Sequence, residues 1–142
     1  MAPEFGHPHR RLFELSRSYG DRMGAYRASR NAIIKFPHSA EAWMLAGQGA
    51  ELVFRQAEAL TAYEQAMVIE ERADAALAAA ALYVRAGRHA DAAARFARGF
   101  AAGGGPEALR QNAESLARAG DTAAAEEAMR LFRELSNRAG TR

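Results

Sequence analysis

Helix-breaking glycines recur at a fixed step along this chain. Gly87 and Gly120 are 33 residues apart, and Gly20 lies 67 before Gly87, close to twice that step. Each stands between two stretches of helix formers, in Tyr19-Gly20-Asp21, Ala86-Gly87-Arg88 and Ala119-Gly120-Asp121. Glycine suits that place because helices commonly end on a residue of positive φ, where a Cβ is disfavoured. Further breaks fall at Phe36-Pro37-His38-Ser39 and at Gly103-Gly104-Gly105-Pro106. The segments between breaks are about 12–16 residues, an ordinary helix length. A helix, a glycine turn and a second helix, repeated at this step, predict stacked helical hairpins rather than one continuous core.

Composition agrees with helices. Alanine supplies 36 of the 142 residues, β-branched residues are scattered, and no run alternates with the period of two that a half-buried strand shows. The fold class expected is all-α. Hydrophobic residues at 49% and charged residues at 25% suit a chain with a core to bury. The absence of cysteine excludes disulfides, thiolate metal sites and cysteine nucleophiles. Nineteen basic residues against seventeen acidic ones leave a charge of only +2, and the signs are interspersed. That is the pattern of solvated helix surfaces, so no nucleic-acid partner is expected. The longest uncharged mid-chain stretch, Ala75 to Val84, is far too short for a membrane span, and Met1 to Pro8 lacks the features of a signal peptide. Direct membrane insertion is therefore not expected. Residues 1–5 read as a disordered N-terminus or a cloning remnant. The compartment stays open: cytoplasmic, or periplasmic for a fragment excised from a longer protein.

The repeats carry a further pattern. The unit beginning at Ala40 has Trp43 and Gly47 on its first helix, then Ala59, Tyr63 and Ala66 on its second. The unit from Ala73 has Tyr83, Gly87, Ala92, Phe96 and Gly99 in the same register, and the unit from Pro106 has Leu109, Leu116, Gly120, Ala125 and Met129. Pro37 precedes Trp43 by six residues, at the junction between units. With these residues the chain resembles the tetratricopeptide repeat (TPR) family over about residues 6–139. The resemblance implies about four TPR hairpins, eight helices, in a right-handed α-α superhelix or solenoid. Its units are a degenerate first repeat at 6–39, then 40–72, 73–105 and 106–139, with a tail at 140–142. Departures are clear. The first unit has His9, Phe13 and Ser29 where the pattern has tryptophan, a small residue and an aromatic, and the second has Phe54 in place of the turn glycine.

Small residues such as Gly47 and Ala59 let helix backbones approach. Trp43, Tyr63, Tyr83 and Phe96 then fill the gaps, each contributing about 1.5–3 kcal/mol of burial. Three consecutive glycines at 103–105 read as a loose linker, which predicts that the fourth hairpin is the most weakly docked.

Catalytic chemistry finds no support. His7-Pro8-His9 has no third ligand in register, so no metal site is expected; His38 falls in a loop, and His89 suits a packing role. Gly103-Gly104-Gly105 lacks the Lys-Ser/Thr of a phosphate loop and is followed by Pro106-Glu107. Adjacent carboxylates such as Glu70-Glu71 and Glu126-Glu127 point different ways on a helix. No enzyme and no cofactor are expected.

The resemblance places function on the concave face, lined by the first helices. The residues it assigns there are Arg10 and Arg17 in the first unit and Met44, Leu45, Gln48 and Leu52 in the second. Leu77, Ala81, Val84 and Arg85 follow in the third, with Arg110, Glu114 and Arg118 in the fourth. The middle is apolar and the ends charged, which fits an amphipathic helix or an extended peptide of a protein partner. No inward position is Asn or Lys, which argues against the carboxylate clamp of chaperone-binding TPRs. The opposite reading of Met44, Leu45, Leu52, Leu77 and Val84 is plain core.

Such modules in bacteria serve secretion, pilus assembly or exopolysaccharide export. The expected function is thus a non-enzymatic interaction scaffold in an assembly of that kind. The alternative is a regulatory or localising module of a larger enzyme or membrane protein. Ala128, Leu131 and Leu135 form a second apolar stripe on the last helix, which predicts self-association of the chain through that end or a truncated array.

Overall fold

The computed structural model describes residues 7–140, so the expectations for residues 1–5 and for the last two residues of the tail lie outside the described residues. Eight helices and no strand occur among them: α1 (His7–Ser18), α2 (Arg22–Lys35), α3 (Ala40–Leu52), α4 (Gln56–Ile69), α5 (Ala73–Arg85), α6 (His89–Ala101), α7 (Pro106–Arg118) and α8 (Thr122–Gly140). The chain divides into two compact units, Met1–Glu71 and Arg72–Arg142. In the first, α2 packs on α1 and on α3, and α3 packs on α4. In the second, α6 packs on α5 and on α7, and α7 packs on α8.

The turns explain the glycine step. After α1, the Gly20 N–H donates to the Arg17 carbonyl at 3.0 Å and the Asp21 N–H to the Ser16 carbonyl at 2.8 Å. This pair of bonds is the Schellman closure, which satisfies the last helical carbonyls and needs its central residue at positive φ. The same two bonds end α5 at Gly87 and α7 at Gly120. They also end α3, where Phe54 takes the glycine's place at φ 62°, the one non-glycine at positive φ among the described residues. Phe54 is 76% exposed, with the Arg22 guanidinium 5.7 Å from its ring centre. The motif is conserved in geometry although its residue is not.

Gly103-Gly104-Gly105 is no loose linker. Gly103 and Gly104 close α6 with the same bonds, to Phe100 at 3.0 Å and Gly99 at 2.8 Å. Gly105, at φ 89°, then leads into α7 with Pro106 at the first helical position, where a missing N–H costs nothing. A Cβ on Gly104 would come 2.6 Å from the Gly99 carbonyl oxygen. The three glycines are therefore demanded by one tight turn. The buried Asn112 side chain adds a tie across it, donating from Nδ2 to the Ala93 carbonyl of α6 at 2.7 Å. Helix starts are capped by Asp21, Ser39 and Asp121, each accepting from a backbone N–H three residues on. α8 runs on to Gly140 because no breaker intervenes.

The first unit's core gathers Phe13, Ile33, Phe36 and Leu45 around small residues of α2, α3 and α4. Tyr63, Tyr83 and Phe96 are buried as expected. Trp43 is only half-buried: one face covers this core while its Nε1–H donates to the Pro37 carbonyl at 2.8 Å. On α2 and α4, Glu58 accepts from the Tyr26 hydroxyl at 2.7 Å and pairs with Arg30 at 3.0 Å. That hydrogen bond is the main reason the Tyr26 phenol is held above its ordinary pKa.

Candidate functional site

In the second unit, α5, α6 and α7 enclose an open cleft of about 320 Å³. Ala81, Val84 and Phe96 form its apolar part. Gln111, Ser115 and His89 add polar edges, and Arg85, Arg118 and Glu114 bring charge. Arg85 and Arg118 are the last residues of α5 and α7, 33 positions apart, so they are the same place in successive repeats. A cation there also offsets the partial negative charge of a helix C-terminus.

The cleft's one carboxylate, Glu114, is taken by Arg110 on the same helix, which also binds Glu107. That hydrogen bond from Arg110 holds the Glu107 carboxyl below its ordinary pKa and raises the guanidinium further. Arg118 has no acid partner among the described residues. The His89 Nδ1 is enclosed without a hydrogen-bond partner. His89 was expected to pack, and its ring is half-buried at the start of α6. His38 is exposed in its loop. No group of three metal-ligating side chains occurs among the described residues.

The structure brings Ala81, Val84, Arg85, Glu114 and Arg118 together around this cleft. Arg110 adjoins it through Glu114. Leu77 does not join them, because its side chain occupies the space beside Gly99 of α6. In the first unit the assignment needs correction. Leu45 is 1% exposed inside the core, and Met44 is buried as well. Leu45 belongs to the core that α3 shares with α2 and α4. Leu52 is half-buried against the same core, whereas Gln48 is exposed. Arg10 lies 4.0 Å from Glu41, and Arg17 pairs with Glu14 at 2.6 Å.

The stripe on α8 is corrected too. Ala128 is buried against Leu109 and Ala113 of its own hairpin, and Leu135 is half-buried on that cluster. Only Leu131, at 38% exposure, faces outward. Sequence reasoning missed Phe96, His89 and Ser115 as cleft residues, since it looked only at first-helix positions and Ser115 lay between two of them.

No family model matches the chain, and no curated protein matches it. Solved structures do. A crystal structure of MamA aligns at a TM-score of 0.80 with 17% identity, over 94% of this chain and 80% of that one. A second MamA structure aligns at 0.65 with 16% identity, over 94% and 92%. The structure of PcrH in complex with the chaperone binding region of PopD aligns at 0.60 with 15% identity, over 92% and 90%. The fold is a TPR-like helical repeat. At these identities the likeness concerns fold alone.

Proposed function

We propose that this chain is a non-enzymatic protein-interaction scaffold that receives a helix or extended segment of a protein partner in the cleft lined by α5, α6 and α7. The observation that carries the reading is the cleft on α5 and α7, where five side chains assigned to the inner face by repeat register converge. Its apolar floor and charged rim suit a peptide with both kinds of side chain. PcrH, a structure of the same fold, has been captured with the chaperone binding region of PopD, which supports a partner-holding role for a fold of this kind. Of the cleft's titratable side chains, His89 has no hydrogen-bond partner at Nδ1 and Glu114 is held by Arg110. The setting proposed is a bacterial secretion, pilus-assembly or exopolysaccharide-export assembly.

Site-specific photo-crosslinking in the native host tests this. A crosslinker at Val84 or Ala81 is expected to trap one partner, while a crosslinker at the exposed Ile34 or Val68 is not. Equal trapping from all four positions, or none from Val84 and Ala81, would remove the cleft as the docking site.

A further inference from the structure

The outer face of α1 is apolar and open. Leu12 and Leu15 are about half exposed and Tyr19 is almost wholly so, and their spacing of three and four residues puts them on one side of the helix. The repeat shows what such positions are for. Leu12 corresponds to Ala46 of α3 and Asn112 of α7, and Leu15 to Gly49 and Ser115; all four are buried. What covers them is the second helix of the hairpin before. A Cβ on Gly49 would meet the Ser29 side chain of α2, and Asn112 bonds the Ala93 carbonyl of α6. On α1 the same places form a helix seat lined by leucine.

The last helix is finished differently. Glu126 corresponds to Tyr26 of α2 and Ala93 of α6, and Arg133 to Ile33 and Phe100. Those four residues lie against the helix that follows them. On α8 the two places hold exposed charges. Setting the α8 of one copy on the α1 of another would take both charges out of water against Leu12 and Leu15. A second α1 is the better match. In an antiparallel pair centred on Leu15, residue 11 of each copy lies opposite residue 19 of the other. Arg11 has no acid partner among the described residues, the Tyr19 ring is bare, and a guanidinium over a tyrosine ring is a favourable contact.

We infer that two copies of this chain associate through their α1 helices, antiparallel about a two-fold axis. Leu15 lies at the axis with Leu12 beside it, and Arg11 rests on the partner's Tyr19. One helix from each copy makes a small interface, so the pair forms at about 10–500 μM chain. The face belongs to the first unit and the cleft to the second, so the pairing and the docking reading stand or fall separately.

Sedimentation equilibrium of the full chain, up to about 500 μM, should show monomer and dimer in exchange. Leu12→Glu/Leu15→Glu should raise the dissociation constant about tenfold or more while helicity stays unchanged, because both side chains already touch water. The chain has no cysteine, so single cysteines report the geometry without altering charge. Under mild oxidation Leu15→Cys should join two copies through its own disulfide, and Glu126→Cys should not. A strict monomer throughout that range overturns the inference, as does a dimer whose affinity survives in the folded double variant. Mixed disulfides between Leu15→Cys and Glu126→Cys chains, without Leu15→Cys pairs, would show end-to-end stacking and overturn the two-fold pairing too.

Discussion

The ring of Tyr63 lies directly over Gly47. A Cβ on Gly47 would come 2.6 Å from the ring carbon bearing the hydroxyl, and Tyr63 is 1% exposed, so the ring has nowhere to retreat. The first hairpin inverts this arrangement. Residues 13 and 29, the places equivalent to 47 and 63 one repeat earlier, hold Phe13 and Ser29, both at 0% exposure. Large and small have exchanged helices while the hairpin stays filled, which is why a first unit so far from the family pattern still forms.

Gly47→Ala is therefore expected to destabilise the chain by about 1–3 kcal/mol through overpacking. This outweighs the helix propensity of alanine, which favours it by about 1 kcal/mol. Urea unfolding of the variant gives the sign. A rise in stability would mean that the Tyr63 ring is free to shift. Ser29→Tyr should be equally damaging, and Phe13→Gly combined with it should cost less than the two single changes added together.

Phe54 holds a turn built for glycine. A left-handed residue with a Cβ costs about 1–2 kcal/mol, against which the Arg22 contact returns about 0.5–1 kcal/mol at an exposed site. With the entropy that glycine adds to the unfolded chain, about 0.4–1 kcal/mol, these contributions nearly cancel, so Phe54→Gly alone is expected to move stability by no more than about 1 kcal/mol. In a chain that already carries Arg22→Ala, where the ring contact is gone, Phe54→Gly should move the urea midpoint up. A midpoint that falls in that background would show the exposed ring to be held by contacts stronger than its backbone strain.

The turns, helix count and hairpin step were legible because each rests on local chemistry: a positive φ at the helix end, a proline at a helix start, small residues at a fixed interval. Phe54 shows that limit from the other side, since its turn was found by period although its residue argued against it. The inner face was only half legible. Val84 and Arg85 line the cleft at the end of α5. Met44 and Leu45 are buried, Leu45 in the core that α3 shares with α2 and α4. The repeat phase says which way a side chain points. It does not say whether anything is already there.

At the start of α5, the Arg72 guanidinium grips Asp74 with two bonds of 2.9 Å, and this is the main reason the Asp74 carboxyl is held below its ordinary pKa. A carboxyl with a lowered folded pKa stabilises the fold above its unfolded value, near 3.8 for this group, and loses that contribution as pH falls through the folded value. Arg72→Gln should bring the Asp74 titration, followed by carbonyl NMR shifts, back up toward its ordinary position. The stability gap between the two proteins should be full at pH 7 and close as the pH drops well below 4. A gap that stays constant down to acid unfolding would show that the pair does not act through the charge of Asp74.

On α8 the three residues of the outer stripe separate into two environments, and charge distinguishes them. Ala128 faces Leu109 and Ala113, so Ala128→Glu buries an unpaired carboxylate and should cost several kcal/mol, loosening α8 before the rest of the chain. Leu131 faces outward, so Leu131→Glu should change stability by no more than about 0.5 kcal/mol. If copies of the chain meet through this helix, Leu131 is the side chain left to meet them, and sedimentation of Leu131→Glu should then give a lower mass than the unsubstituted chain at equal concentration. Identical masses, with stability preserved, remove α8 as a contact between copies. A large loss of stability in Leu131→Glu would instead place Leu131 inside the hairpin with Ala128, against its exposure.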